Sequence, residues 1–511
     1  MLANIHSGAV YGVDAYPVEI EVNEGRGDPQ TVIVGLPDAA VKESKDRVNT
    51  AIINSGYEMP KGRLTVNLAP ADVKKEGPSF DLPIAAGVLA TMAEIPYGVL
   101  RDFALVGELA LSGDVRRVRG VLPITLAMRE AGRRAIIVPR DNAEEAAVVD
   151  GIDVYPVKSL RQAVDTLAGR ASARPFKVDL DQAFAAHLDY EEDFAEVKGQ
   201  EQARRAVEVA VAGGHNLLFI GPPGTGKTML ARRIPSILPQ LTLPEALEAT
   251  KIHSVAGTLG AHQALLTRRP FRTPHHTVSD AGLLGGGAHP APGEVSLAHG
   301  GVLFLDELPE FHRNVLEVLR QPLEDGVVTV ARAAATLSFP CRFMLVAAMN
   351  PCPCGYLNDR RHECRCTPLQ IQRYRNKISG PLLDRIDIHV EVPAVRYQEL
   401  AAPPAGENSA VIRARVTAAR ARQTQRFSHA RKVHCNAEMR SRDLHRHCVL
   451  DAASQQLLKM AITELNFSAR AYDRILKVAR TIADLDDAEN IGEQHVSEAI
   501  QYRTLDRQFW A

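Results

Sequence analysis

The stretch Gly221–Thr228 carries the most specific chemistry in the sequence, because it matches the phosphate-binding pattern G-x-x-x-x-G-K-[ST]. Its members are Gly221, Pro222, Pro223, Gly224, Thr225, Gly226, Lys227 and Thr228. Glycines let backbone N–H groups turn toward a phosphate, and a helix that begins at Lys227 adds a favourable dipole. Lys227 can reach the β- and γ-phosphates of ATP, and Thr228 can bind Mg²⁺. Residues 215–220 read as the preceding strand that this motif requires, so we favour a nucleotide site over a chance glycine-rich turn.

Two carboxylates follow a second apolar run. Val302–Leu305 is continuously apolar, as expected for a central parallel strand, and Asp306 and Glu307 come directly after it. Asp306 at the end of such a strand would hold Mg²⁺, and Glu307 would orient and polarise the attacking water. Two solvated acids at a strand end are the alternative, but the phosphate-binding motif upstream favours the catalytic interpretation.

A polar amide follows a third apolar run, Phe343–Ala348. Asn350 lies two residues beyond this run and precedes Pro351. Its amide could contact the γ-phosphate or the attacking water, or it could cap a turn, since Asn-Pro favours turns. Because it follows the two motif strands, we favour the catalytic role.

The elements that would position these residues form the middle of the chain. The whole chain has 511 residues, which is enough for about three domains. Between residues 193 and 395, apolar strands alternate with helices, which is typical of a parallel sheet covered on both faces. Residues 1–170 predict a separate compact α/β domain. Residues 171–192 lack a clear period and are predicted as a linker, and residues 396–511 read as mainly helical.

Composition excludes several classes of protein. Hydrophobic residues make up 45% and charged residues 24%, which is typical of a globular chain and not of a disordered one. The net charge of −1 excludes a surface coated in positive charge, so nucleic-acid contact would need a local patch or a lined channel. No apolar run of about 18 residues and no secretion signal is present, so we predict no membrane association. Seven cysteines are too few for a disulfide scaffold, and we expect a cytoplasmic protein with reduced thiols.

The motif series resembles an AAA+ ATPase, and longer stretches resemble one branch of that class. Residues 271–311, from FRTPHH to DELPEF, resemble the magnesium-chelatase-like AAA+ proteins. Together with NPCPCGY (350–356) and SGPLLDRIDIHVEV (379–392), they resemble the ComM (YifB) family. The resemblance implies an α/β fold in which an AAA+ P-loop parallel sheet carries a helical C-terminal lid of the magnesium-chelatase type. An α/β Lon-protease-like domain of the S5 domain 2 type would precede it.

The same resemblance implies an activity and partners. It implies an ATP-dependent homo-hexameric motor or helicase that promotes DNA branch migration in homologous recombination and natural transformation. The ring pore would hold single-stranded or branched DNA, and recombination proteins are candidate partners. A chelatase-type motor that remodels a protein partner is the alternative, and an ATP-dependent protease is a third class.

Further site residues follow from the resemblance alone. Arg385 lies where the family has its arginine finger, which neutralises transition-state charge at a neighbouring subunit's nucleotide. An arginine paired with Asp384 or Asp387 is the alternative. Arg470 matches the sensor-2 arginine of the lid, and Gly199-Gln200 matches the segment that lies against adenine. Arg470 could instead be an ordinary residue in the first turn of a helix.

The amino-terminal domain resembles Lon-type serine–lysine peptidases without their base. Glu76–Ser79 resembles their nucleophile turn, and residues 120–142 resemble the segment that carries their lysine. This alignment puts Leu122 at the lysine position, and a serine without a base is a poor nucleophile. Lys74 and Lys75 do not occupy the matching position. We therefore predict a non-proteolytic binding or assembly domain.

Four cysteines cluster between Asn350 and Arg385, namely Cys352, Cys354, Cys364 and Cys366. Four thiolates this close can form a structural Zn²⁺ site. The C-x-C spacing is less specific than C-x₂-C, so free thiols or a redox pair stay open as alternatives. Catalytic zinc is not expected, because four cysteine ligands leave no open position.

Two basic segments are candidates for DNA contact. The insert before Asp306 contains Arg268, Arg269, Arg272, His275 and His276, followed by a flexible Gly285–Gly287. A basic loop inside a ring could follow a phosphate backbone, although the histidines could simply shape a turn. Residues 413–432 contain seven basic side chains and no acid: Arg413, Arg415, Arg420, Arg422, Arg426, Arg431 and Lys432. A solvated lid face or a subunit contact is an equal alternative there.

Overall fold

The computed structural model contains two α/β domains and a helical carboxy-terminal region. It describes residues 2–71, 75–185, 190–287, 291–331, 336–359, 362–396, 398–399, 406–429, 433–465 and 467–505. The sequence also predicts a hinge-like loop at Pro403, Pro404 and Gly406, and its two prolines lie outside these residues. Along the described chain, no helix is both long and apolar enough to cross a bilayer.

The amino-terminal domain is built on a seven-stranded mixed sheet. In spatial order its strands are Thr31–Val34, Arg63–Ala69, Asp14–Gly25, Leu2–Tyr11, Phe103–Leu105, Ala135–Pro139 and Asp153–Val157. Asp14–Gly25 runs antiparallel to both of its neighbours, and the other pairs are parallel. Within it, buried Val18, Ile20 and Val22 alternate with half-buried glutamates, as expected for a strand with one face on the core. A two-stranded ribbon, Glu108–Leu109 with Val115–Arg116, completes the domain's strands.

Helices cover the faces of this sheet. They are Ala39–Asn54, Asp81–Thr91, Val121–Glu130, Ala143–Ala146 and Leu160–Leu167, with 3₁₀ turns at Pro78–Phe80, Val99–Arg101 and Arg140–Asn142. Asp38 caps the first helix, because its carboxylate accepts a hydrogen bond from the Val41 N–H at 2.7 Å. Every residue of Asp81–Thr91 is buried, and Gly87 permits its close approach to the sheet. A Cβ on Gly87 would lie 2.5 Å from the side chains of Ile5 and Val22.

The segment predicted as a linker contains ordered structure. Residues Leu180–Ala185 form a helix, and Phe176 forms a β-bridge with Val154. Leu180 and Phe184, one helical turn apart, pack on a small cluster formed by Val148, Ala264 and Leu265. Sequence periodicity misses this element because only a single helical turn carries apolar residues.

The central domain is a five-stranded parallel sheet with helices on both faces. In spatial order the strands are Phe271–Arg272, Val302–Leu305, Met344–Met349, Leu217–Ile220 and Ile388–Glu391. All residues of the three middle strands are buried, as expected for strands covered on both sides. The helices are Glu201–Gly213, Lys227–Ile237, Leu243–Ala256, Asp280–Leu284, Glu294–Leu297, Arg313–Val318, Arg320–Asp325, Pro368–Arg375 and Gly380–Leu383, with 3₁₀ turns at Phe194–Glu196 and Leu308–Glu310. Two short antiparallel pairs are inserted: Gly285–Gly286 with Ala291–Pro292, and Val327–Ala331 with Thr336–Pro340.

The carboxy-terminal region is helical, as predicted. Its helices are Ser409–Arg426, Ser441–His447, Ala452–Leu465, Ala469–Leu485 and Glu493–Gln501, with a 3₁₀ turn at Asn436–Glu438. They share one apolar core with the helix Glu201–Gly213 of the central domain. A fully buried carboxylate, Asp484, binds Arg426 and Arg480 inside this region. The α/β core with a helical lid, preceded by a further α/β domain, confirms the predicted fold class.

The amino-terminal domain contacts the central domain through the helix Leu243–Ala256. The hydroxyl of Ser254 donates to the buried carboxylate of Glu145 at 2.7 Å, and its carbonyl accepts from the Gly120 N–H at 3.1 Å. Burial raises the pKa of Glu145, although the Ser254 hydroxyl and an amide oppose this shift. Lys251 of the same helix pairs with Asp14 at 2.9 Å. Polar contacts therefore fix the two domains together.

Candidate active site

The phosphate-binding motif lies between the strand Leu217–Ile220 and the helix that begins at Lys227. Gly226 caps this helix in a left-handed conformation, with φ +88°, which glycine adopts without steric cost. Gly221 permits close approach of a neighbouring segment, since a Cβ there would lie 2.2 Å from the Val392 carbonyl oxygen. The loop therefore needs glycine for conformation at one position and for space at another.

Lys227 is held within the loop. Its ammonium donates to the carbonyl oxygens of Gly221 at 2.7 Å and Pro222 at 2.8 Å, and to Asn350 Oδ1 at 3.2 Å. Burial lowers the pKa of Lys227 to about 8, while Asp306 and Glu307 act in the opposite direction. A bound phosphate would restore the full charge of this lysine, so the site is tuned to an anionic ligand.

Thr228 and Asp306 form a second contact across the site. The Thr228 hydroxyl donates to Asp306 Oδ2 at 2.6 Å, and Asp306 Oδ1 accepts from the Glu307 N–H at 3.0 Å. A hydroxyl and a carboxylate are hard oxygen ligands of the kind that Mg²⁺ prefers. These residues therefore fit the Mg²⁺ of a nucleotide complex.

Glu307 has an unusual backbone. Its φ of +52° and ψ of +47° are left-handed, which costs a non-glycine residue on the order of 1 kcal/mol. Its side chain is 60% exposed, and the Nδ1 of His276 lies 3.9 Å from its Oε2. Strained residues of this kind cluster at active sites. The contact with His276 was not predicted, because the two residues are far apart in sequence.

The structure brings the three motifs together at one edge of the sheet. Asn350 follows Met344–Met349, and Asp306 follows Val302–Leu305. Both strands run parallel to Leu217–Ile220, so all three polar ends face the same side. Hydrogen bonds join Lys227 to Asn350 and Thr228 to Asp306 at this edge. The catalytic roles of these residues stay predictions.

Gln200 adds a group suited to a nucleobase. Its side-chain amide donates to the Thr225 carbonyl oxygen, while its Oε1 is buried and has no partner among the described residues. A buried acceptor of this kind requires a donor. The exocyclic amine of adenine would supply one. This orphan oxygen beside the phosphate loop therefore fits ATP.

Arg385 and Arg470 lie away from the phosphate loop. The backbone carbonyl of Arg385 accepts from the side chain of Asn216, at the start of the strand whose other end reaches Gly221. Asn216 and Gly221 are five residue steps apart along this strand, which corresponds to about 17 Å. Arg470 pairs with Asp384 at 3.3 Å and so occupies the same edge as Arg385. The described contacts therefore place neither arginine at the phosphate loop of its own chain.

The partner of Arg385 differs from both predicted partners. Its guanidinium pairs with Glu324 and donates to the Pro381 carbonyl oxygen, while its Nε has no partner in the described chain. Asp387 is instead occupied by Arg474 and His215. Burial raises the pKa of Asp387, but the charge of Arg474 and the hydrogen bond from His215 outweigh it and hold the pKa well below its usual range. Sequence proximity therefore suggested the wrong carboxylates.

The four cysteines converge. The Cys352 and Cys354 sulfurs are 3.4 Å apart, and the Cys364 sulfur lies 3.7 Å and 3.6 Å from them. The Cys366 sulfur completes a group within 4.8 Å and accepts a hydrogen bond from the Cys354 N–H. Tetrahedral Zn–S bonds near 2.3 Å place sulfurs about 3.8 Å apart. The cluster therefore fits a metal ion of that size and preference.

The arginines of the insert have partners within the chain. Arg272 pairs with Glu294 at 2.7 Å, and Arg269 donates to two backbone carbonyl oxygens at 2.7 Å. Arg268 lies 5.0 Å from the centre of the Tyr190 ring. His275 contacts the Thr277 hydroxyl at 2.9 Å, which is the turn-shaping role. These groups stabilise the insert, so the prediction of a basic DNA-tracking loop has no support among the described residues.

The arginine-rich helix Ser409–Arg426 is also paired internally. Arg415 pairs with Glu208 at 2.6 Å, and Arg426 binds the buried Asp484. Arg420 donates to the Val211 carbonyl oxygen, and Arg422 pairs with Asp487. The Arg413 guanidinium lies over the Tyr190 ring. Arg431 and Lys432 lie outside the described residues. Arg415 and Arg420 contact the central domain, and Arg426 binds within the lid, so these arginines help to attach the lid. The interpretation as a DNA-facing stripe stays a prediction.

The peptidase-like turn has no base at the predicted position. Leu122 is fully buried in the apolar core. Lys75 is also fully buried, and its ammonium donates to the Pro70 carbonyl oxygen. Lys74 lies outside the described residues. Ser79 is half-buried and its carbonyl accepts from the Gly107 N–H at 3.0 Å, which is consistent with a turn residue.

Comparisons with known proteins agree with this arrangement. Residues 193–400 match the family described as magnesium chelatase, subunit ChlI, and residues 406–503 match the C-terminal part of that subunit. Residues 18–142 match a further family described as subunit ChlI of Mg-chelatase.

Relatives of similar length match this chain over almost all of its residues. YifB of Escherichia coli K12 is 45% identical over 508 residues, covering 99% of this chain and 98% of the relative. Competence protein ComM of Haemophilus influenzae is 45% identical over 510 residues, with the same coverage. Lon protease 2 of Bacillus subtilis is 26% identical over 192 residues, covering 34% of each chain. The chain thus belongs to the ComM (YifB) family of magnesium-chelatase-like AAA+ ATPases, which carry a Lon-protease-like domain at the amino terminus.

Proposed function

We propose that this protein is an ATP-dependent motor that moves on DNA and promotes branch migration during homologous recombination, including recombination of DNA taken up in natural transformation. The observation that carries the ATPase part is the convergence of Lys227, Thr228, Asp306 and Asn350 at one sheet edge, with Glu307 beside Asp306. The DNA part rests on the relative named competence protein ComM.

Each residue of the site has a role in this proposal. The backbone of the phosphate loop and Lys227 would bind the β- and γ-phosphates, and Thr228 with Asp306 would hold Mg²⁺, which neutralises phosphate charge when bound. Glu307 would accept a proton from the attacking water as the Pγ–O bond to the leaving ADP breaks. The Asn350 amide, already at Lys227, would orient that water or the γ-phosphate.

A ring is part of the proposal. Arg385 and Arg470 occupy the sheet edge opposite the phosphate loop, so each would serve a neighbour's nucleotide. The exposed Glu324 carboxylate now bound to Arg385 would have to release it when subunits assemble. We propose a homo-hexamer whose pore encloses single-stranded or branched DNA, with other recombination proteins as partners.

We also propose that Cys352, Cys354, Cys364 and Cys366 hold a structural Zn²⁺ ion. Their mutual sulfur distances support this assignment over two separate disulfides, in which bonded sulfurs lie about 2.05 Å apart. Elemental analysis of the purified chain tests it, with about one zinc per chain as the expected result. Substoichiometric metal together with intact disulfides would contradict it.

A chelatase-type motor acting on a protein partner is the second candidate, because the central match is to a magnesium chelatase subunit. ATP hydrolysis rates measured with and without forked DNA separate the two. A DNA motor predicts stimulation by the fork that Lys227→Ala and Glu307→Gln both abolish. Robust hydrolysis that is indifferent to every form of DNA would support the chelatase-type alternative and contradict the proposal.

A further inference from the structure

The cysteine loop contacts the ATP site directly. Gly355 lies within the loop between Cys354 and Cys364, and its N–H donates to the Cys352 carbonyl oxygen at 3.0 Å. Its backbone is left-handed, with φ +87°. A Cβ at this position would lie 2.6 Å from Pro223 Cδ and 3.8 Å from Asn350 Cγ. The loop backbone therefore packs between the phosphate loop and the amide of Asn350.

Both ends of the cysteine loop are tied to the same site. At one end, Cys352 is fully buried two residues after Asn350. The Pro351 carbonyl oxygen between them accepts from Arg375 Nη2 at 3.2 Å, and Tyr374 packs in the same buried cluster as Met349, next to Asn350. At the other end, Cys366 directly precedes the cap of the helix Pro368–Arg375, which carries both of these partners. A metal ion that joins the two ends of the cysteine loop would therefore fix the position of Asn350.

We propose that the metal-bound cysteine loop positions the phosphate loop and Asn350, so that the metal couples to ATP turnover without touching the nucleotide. This inference rests on the proposed ATPase site and zinc ion. Gly355 is then a positioning residue: it transmits the geometry of the cluster to Pro223 and Asn350. Four converging sulfurs hold the turn rigid, and the absence of a side chain at residue 355 lets it approach the phosphate loop.

Gly355→Ala tests the contact while leaving all four sulfurs in place. The added methyl needs about 1 Å more space than the 2.6 Å available, and a displacement of that size at reacting groups lowers kcat/KM by about 100-fold. Gly132→Ala is the matched control, since Gly132 is also left-handed, with φ +76°, and a Cβ there meets nothing within 4 Å. Both variants share the backbone strain, and Gly355→Ala alone has the clash.

Three readouts separate positioning from a loss of structure or metal. They are zinc per chain, the kinetics of ATP hydrolysis, and the midpoint of thermal unfolding. We expect Gly355→Ala to keep wild-type zinc, to unfold at the same temperature as Gly132→Ala, and to lose kcat/KM. Pro223→Ala removes the atom that is crowded, so the double variant Pro223→Ala/Gly355→Ala is expected to be more active than Gly355→Ala.

The outcomes also separate this inference from the proposals on which it rests. Wild-type kinetics in Gly355→Ala, or loss of its zinc, would overturn the inference. Cys364→Ser/Cys366→Ser should lose zinc and kcat/KM together, and full hydrolysis by that zinc-free variant would overturn it as well. A wild-type chain without hydrolysis would instead refute the ATPase, and one without zinc would refute the metal assignment.

Discussion

The buried position of Lys227 predicts a pH dependence of ATP binding that has a definite sign. Burial lowers the pKa of Lys227 to about 8 in the nucleotide-free site. Only the ammonium form attracts phosphates, so binding requires the protonated fraction. That fraction falls from about nine-tenths at pH 7 to about one-tenth at pH 9, one pH unit on either side of the pKa. Because apparent affinity scales with the competent fraction, the Kd for Mg-ATP should rise by about tenfold over this range.

Titration of a fluorescent, non-hydrolysable ATP analogue into the wild-type chain measures this effect between pH 7 and pH 9, because the charge of Glu307 acts on the Lys227 pKa and has to stay in place. Lys227→Arg is the control, because a guanidinium keeps its charge throughout the range. At pH 7 we expect Lys227→Arg to have a higher Kd than the chain with Lys227. We expect this Kd to stay nearly constant with pH. A Kd that does not change between pH 7 and pH 9 in the chain with Lys227 would refute the reasoning about the buried ammonium.

Three further perturbations follow from the site and the domain contact. Glu307→Gln should keep ATP binding and lower kcat by about 10²–10⁴-fold, the usual contribution of a general base, and parallel binding and steady-state assays check both effects. Arg385→Ala and Lys227→Ala should each be inactive alone, yet recover partial ATPase activity when mixed, because a mixed ring contains sites with both residues; no recovery would contradict a finger supplied in trans. Ser254→Ala leaves the buried Glu145 carboxylate short of a donor and should lower the free energy of unfolding by about 1–3 kcal/mol in urea titrations, whereas an unchanged midpoint would show that the domain contact contributes little.

The ATP site was the most predictable part of the molecule. Its motifs are local in sequence, and strand ends in a parallel sheet necessarily share an edge, so Lys227, Asp306 and Asn350 could be brought together without coordinates. The four cysteines lie within one loop, and their convergence was predictable for the same reason.

Long-range pairing was not predictable. Glu324 lies 61 residues from Arg385, and Glu208 lies 207 residues from Arg415. Counting charges along a segment therefore suggested a basic DNA-facing stripe, although the acids that neutralise it come from other elements. The contact of Ser254 with Glu145 was missed for the same physical reason, since it depends on how two domains pack.

Migration of a mobile DNA junction, followed by the release of labelled strands with ATP and Mg²⁺, tests the central claim most directly. Glu307→Gln is the matched protein, because it keeps the charge and shape of the ATP-binding residues and lacks only the proposed base. We predict strand exchange by the wild-type chain and none by Glu307→Gln, although both bind the junction. Equal migration by the two proteins, or none by a wild-type chain that hydrolyses ATP and binds the junction, would contradict the account.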